Sequence, residues 1–207
     1  MVRPPYLLRL AYPGVTWNFS RTTKKIYLTF DDGPVESITP QVLTLLKQYH
    51  AKATFFCIGE NVKRNPEIYQ KIIAEGHSIG NHTWSHKNSW KVSRKAYLHD
   101  AAKGGELIQS ELFRPPYGKL TPATLLALRK KYRIIMWDVI SCDFDVSVAK
   151  EKVLHNILKH TSNGSIIVFH DSLKASPSML YALPQVLAHY SQAGFTFEKI
   201  ESPSPQP

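Results

Sequence analysis

Cysteine is scarce in this 207-residue chain: Cys57 and Cys142 are the only two. No disulfide framework is implied, and both lie in apolar or strand-like runs, so buried free thiols are expected. No run approaches the ~18 apolar residues of a membrane span. Residues 1–18 interrupt their apolar content with Arg3, Pro4, Pro5, Arg9 and Pro13. They lack the uninterrupted ~7–15-residue apolar region of a secretory signal, which leaves cytoplasmic retention, another export route and a trimmed leader all open. Blocks of like charge are missing too. Lys and Arg outnumber Asp and Glu by 26 to 16, but they fall in short groups: Arg21, Lys24 and Lys25; Arg94 and Lys95; Arg129, Lys130, Lys131 and Arg133. Such scattering reads as solvated faces with mild attraction to acidic surfaces.

With no linker and no low-complexity segment, the length fits one domain, and the 43% hydrophobic content suffices for a full core. Short apolar runs recur at 26–30, 53–58, 77–80, 112–114, 134–137, 165–170 and 195–200. Segments with helical spacing separate them, marked by Val42, Leu43, Leu45, Leu46 and Tyr49, by Ile68, Ile72 and Ile73, and by Leu125, Leu126 and Leu128. Thr39-Pro40, Asn65-Pro66 and Thr121-Pro122 resemble a helix cap followed by proline in the first turn. Runs such as IIMW and SIIVF are apolar on consecutive residues, as in a parallel sheet covered on both faces. Seven strands alternating with about six helices fit a βα barrel or a doubly wound sheet.

The reactive side chains follow the runs. Asp31 and Asp32 come after the first, His82 and His86 after the third, Arg114 to Gly118 after the fourth, Asp138 and Asp143 after the fifth, and His170 ends the sixth. Strand ends of a barrel meet on one face, so this distribution favours a barrel with one convergent site. An Asp-Asp-Gly-Pro turn is by itself an ordinary turn. Carboxylates directly after a buried strand, however, need partners. His82 and His86, four apart, would share one side of a helical turn and suit metal binding. His170 suits acid–base work near neutral pH. Trp84, Trp90 and Tyr117 are candidates to line a groove, or simply to pack.

TFDDGP (29–34), HTWSH (82–86), RPPYG (114–118), WDVISCDF (137–144) and IIVFH (166–170) resemble, in order, the motifs of the polysaccharide deacetylases, the family-four carbohydrate esterases with a NodB homology domain. The resemblance implies an α/β fold, a distorted (β/α) barrel of about seven parallel strands. It implies a catalytic domain over 26–201, preceded by an N-terminal extension (1–25) packed on it and followed by a flexible tail (202–207). It also implies metal-dependent hydrolysis of the N-acetyl amide of N-acetylglucosamine-type sugars in peptidoglycan or chitooligosaccharide-like glycans. Asp31 would be the base, and Asp32, His82 and His86 the ligands of one divalent cation, zinc before cobalt, nickel or manganese. Arg114 would hold Asp31, the Tyr117 amide would meet the oxyanion, and His170 would be the acid with Asp143 as partner. Asp138 is a rival for that last place. Asp143-Phe144 departs from the Asp-Trp of many members. The expected partner is an N-acetylated glycan, with no nucleic acid and no transmembrane segment, and the chain is expected to be a monomer. The alternatives are an amidohydrolase of another C–N bond, a silent glycan binder, and a two-metal phosphoesterase, for which bridging carboxylates are too few.

Overall fold

The computed structural model describes residues 2–202. Five of the six residues assigned to the tail, 203–207, lie outside it. The elements run α1 (Tyr6–Ala11), β1 (Lys25–Asp31), α2 (Thr39–Gln48), β2 (Ala53–Cys57), α3 (Gly59–Arg64), α4 (Pro66–Ala74), β3 (Ser78–Asn81), α5 (Arg94–Leu107), β4 (Leu112–Phe113), α6 (Pro122–Leu128), β5 (Arg133–Ile134), β6 (Val139–Ile140), α7 (Lys150–His160), β7 (Ile166–His170), α8 (Ser176–Gln192) and β8 (Thr196–Phe197). The strands pair in the order β5-β4-β3-β2-β1-β7-β6, all parallel, with β8 on β1. The result is a curled, incompletely closed barrel.

Alternation along β1 explains how the site is built. Ile26, Leu28 and Phe30 are fully buried in the large core between sheet and helices. Phe30 stacks on Phe55 of β2 and Phe169 of β7, with centroids 5.0 and 5.9 Å away. Each such side chain contributes about 1.5–3 kcal/mol, and Phe30→Ala would cost about 3–5 kcal/mol. The alternate residues face the barrel interior. Tyr27 packs beside Phe56, Ile135 and Ile166, while Thr29 and Asp31 carry the polar end.

The N-terminal chain bonds to both sides of the gap between β5 and β6. Thr16 pairs with Ile135 and Asn18 with Ser165, and Ile140 N–H donates to the Val2 carbonyl at 2.9 Å. Arg3, Arg9 and Arg21 converge on the fully buried Asp138 at 2.9, 2.7 and 2.9 Å, and Ser165 Oγ donates to it at 2.6 Å.

Several local expectations change. The run at 134–137 is strand only at its start, and β6 is an additional strand. Thr121 caps α6, its Oγ1 accepting from Thr124 N–H. Thr39 instead accepts from Val35 N–H and donates to Asp171, and Asn65 donates to the Pro34 and Asn61 carbonyls. Ile73 and Leu126 are exposed. Cys57 is buried and Cys142 only half-buried.

Candidate active site

Asp31, Asp32, His82, His86, Arg114, Asp143 and His170 come together at the C-terminal ends of the strands. Asp31 closes β1 opposite His170 of β7 in register. Arg114 is entirely buried. Its guanidinium donates to Asp31 Oδ1 and Thr29 Oγ1, each at 2.7 Å, and to the Ile135 and Met136 carbonyls at 3.2 and 2.9 Å. The Phe56 ring lies 4.1 Å beneath it. Burial pushes the Asp31 carboxyl up. The Arg114 guanidinium, with His82 and His170, outweighs burial and holds Asp31 below the ordinary carboxylate range.

Asp32, His82 and His86 offer ligand atoms all within 4.8 Å of one another. Asp32 Oδ1 lies 3.3 Å from His86 Nε2 and 3.9 Å from His82 Nε2. This oxygen is buried without a hydrogen-bond partner, a costly state that a cation would relieve. His82 Nδ1 is 2.8 Å from the Arg114 carbonyl. A carbonyl only accepts, so Nδ1 carries the hydrogen and Nε2 keeps its lone pair for a metal. Burial lowers the His82 pKa to about 4, favouring the neutral, ligating form. The donor set fits a divalent cation bound by nitrogen and oxygen.

The two histidines do not share a helical turn. They sit on a loop in which Thr83 and His86 take φ of 67° and 56°. Asp32 (φ 84°), Tyr117 (φ 61°) and Cys142 (φ 66°) are also left-handed. Among the described residues, five of the six non-glycine residues with positive φ therefore lie in the site's loops, each costing about 1–3 kcal/mol. Groups without an individual signal in the sequence hold this strained backbone. Asn81 Oδ1 accepts from Thr83 N–H at 2.8 Å. Asp100 accepts from Ser85 N–H, Ser85 Oγ and Lys87 Nζ. Asn61 Nδ2 donates to the Asp32 carbonyl at 2.7 Å. Asp171, entirely buried, accepts from Gly33 N–H at 3.0 Å and from Thr39 Oγ1 at 2.6 Å, pinning the turn that carries both aspartates. Only the position of Asn81 and Asp171 beside motif histidines could have pointed to them.

Asp143 is the partner of His170, with Oδ1 2.7 Å from His170 Nδ1 and Oδ2 accepting from His170 N–H at 2.9 Å. Burial disfavours the charged ring, but Asp143, with Asp32 and Asp31 beyond it, raises the pKa to about 9. Asp138 is not a rival. Its own N–H donates to the Ile166 carbonyl, at the opposite end of β7 from His170, and its carboxylate serves the arginine clamp. Phe144 meets the His170 ring edge-on at 5.1 Å, and Tyr117 packs 4.6 Å from His86. Tyr117 and Trp90 are exposed. Trp84 does not line a groove in this way: it packs against Gly59 and beneath Lys103.

The family profile described as polysaccharide deacetylase matches residues 20–134. A peptidoglycan-N-acetylglucosamine deacetylase of Bacillus cereus is 34% identical over 190 residues, covering 88% of this chain and 89% of that protein. One from Listeria monocytogenes is 33% identical over 88% of this chain, which spans only 39% of that longer protein. The crystal structure of the Bc1960 peptidoglycan N-acetylglucosamine deacetylase superposes with a TM-score of 0.87, 30% identity and 95% coverage of both chains. A CE4 family pseudoenzyme from Bacillus anthracis shares the fold at a TM-score of 0.80 and 22% identity, so fold alone does not decide activity. Motif order, strand topology and sequence identity agree: the chain belongs to the polysaccharide deacetylase family.

Proposed function

We propose that this protein hydrolyses the N-acetyl amide of N-acetylglucosamine in peptidoglycan, releasing acetate and a free amino sugar. The observation that carries the reading is the placement, on one barrel end, of an arginine-held carboxylate, a Asp-His-His trio and a carboxylate-held histidine. A pure binder has no use for both a base and an acid. The relatives named for peptidoglycan N-acetylglucosamine support the substrate.

Asp32, His82 and His86 would hold one divalent cation, with zinc the best match to two imidazoles and a carboxylate. Such a cation, when bound, polarises the acetyl carbonyl and makes water more acidic. Asp31, kept ionised by Arg114, takes the proton of the attacking water. The Tyr117 N–H stands in the turn closed by the Gly118 N–H to Pro115 carbonyl bond and meets the negative charge that develops on the carbonyl oxygen. The C–N bond breaks only as nitrogen gains a proton, and His170 supplies it. Asp143 fixes the ring so that Nδ1–H is committed and Nε2 does the transfer.

The test is acetate release from peptidoglycan and from N-acetylglucosamine oligomers, using protein stripped by chelator and then refilled with zinc. Activity lost on stripping and restored by zinc supports the reading. No release from either substrate by zinc-loaded protein overturns it.

A further inference from the structure

The loop carrying His86 and the loop carrying Tyr117 are joined at three successive places. His86 meets Tyr117, the buried Ser89 accepts from Thr121 N–H at 3.4 Å, and Lys119 Nζ lies 5.0 Å from the centre of the Trp90 ring. Trp90 is held on a tight turn, its N–H donating to Asn88 Oδ1 and the Lys91 N–H to the Asn88 carbonyl, each at 2.9 Å. Yet the residue is 60% exposed. Trp90 is four residues from His86, so their Cα atoms lie within about 14 Å of each other. The two loops themselves contribute charge of one sign. Residues 87–99 and 112–137 contain no Asp or Glu, while Lys87, Lys91 and Lys119 stand on the two loops. Lys87 is already paired with Asp100. Among the described residues Lys119 has only the face of the Trp90 ring, which leaves its ammonium able to meet an anion.

We propose that Trp90 and Lys119 form a subsite, beside the reacting N-acetyl group, for a sugar unit that bears a carboxylate. The apolar face of the sugar stacks on the indole and the ammonium pairs with the acid. A neutral polymer would use the ring and leave the cation idle, so the pair selects acidic glycan over neutral. This inference rests on the deacetylase reading above.

The experiment compares steady-state acetate release from a neutral N-acetylglucosamine oligomer and from a peptidoglycan fragment with free carboxylates, for wild type, Lys119→Gln, Lys119→Glu and Trp90→Ala. Lys119→Gln should lower the acidic-to-neutral ratio of kcat/KM about threefold to fivefold, the scale of one exposed ion pair. Lys119→Glu should lower it about tenfold, as attraction becomes repulsion. Both changes should be carried by KM, and the wild-type preference should shrink in salt. Trp90→Ala should raise KM for both substrates. A ratio unmoved in both lysine variants, while wild type still releases acetate, overturns the subsite alone. A wild type inactive on both substrates overturns the deacetylase reading with it.

Discussion

Asp143→Asn offers a perturbation whose size follows from geometry. The carboxylate now accepts twice from His170, at Nδ1 and at the backbone N–H. An asparagine has one acceptor oxygen. If that oxygen stays with the backbone N–H, the NH2 group faces Nδ1, which must then accept and give up its proton. The cationic ring thus loses both a charge partner and a hydrogen bond, while burial goes on opposing it. A fall from about 9 to the ordinary 6.5 or lower removes about 3 kcal/mol of preference for the charged ring. At pH 7.5 the protonated fraction drops from about 97% to about 9%. We expect kcat for acetate release to fall at least about tenfold at pH 7.5, with the alkaline limb of the profile moving down. His170 should titrate correspondingly lower by NMR in metal-free protein. Stability gives a second readout. A histidine whose pKa rises on folding stabilises fully below 6.5, and the contribution fades as pH climbs through about 9. Metal-free wild type should therefore weaken over that window, and the variant should not. An unmoved His170 titration would refute the reasoning.

Two further outcomes follow from other parts of the structure. His82→Ala should lose cation binding and acetate release together, measured by metal content and assay on one preparation; unchanged metal content would remove His82 from the ligand set. Asp138→Ala leaves three arginines without their anion, and a loss of about 2–3 kcal/mol is expected in urea unfolding, below the ~3–5 kcal/mol of a fully buried pair because Arg3 and Arg21 are partly solvated. Those donors hold the Asp138 carboxyl well below its ordinary range despite burial. The difference between wild type and variant should accordingly shrink as pH falls below 3.8, and an unchanged urea midpoint would refute the clamp.

Strands whose residues are buried on both faces were legible in the sequence. β1, β2 and β7 each leave a run of bulky apolar residues, and the chemistry begins at the last residue of β1 and of β7. The two-residue β6 was not legible, because Val139 and Ile140 stand between Asp138 and Ser141 and form no apolar run. Neither was the bridging of the gap between β5 and β6 by residues 16–18, which depends on partners more than 100 positions away. His82 and His86 have the spacing of a helical turn, but Asn81 and Asp100 hold the loop in left-handed conformations that spacing does not encode. Thr39 looked like a helix cap, since a hydroxyl before proline suits one. Its preference for Asp171 is a tertiary choice, made only once β7 lies beside β1. Asp138 and Asp143 could not be separated by sequence, because both follow the same run. Five residues carry one to the arginine clamp and the other to His170.

The role of Asp31 as base is tested by Asp31→Asn, with bound cation and acetate release measured on the same zinc-loaded sample. We expect one cation per chain, as in wild type, and turnover reduced at least about a hundredfold, the scale of a lost general base. Turnover near wild type with the cation in place would contradict it.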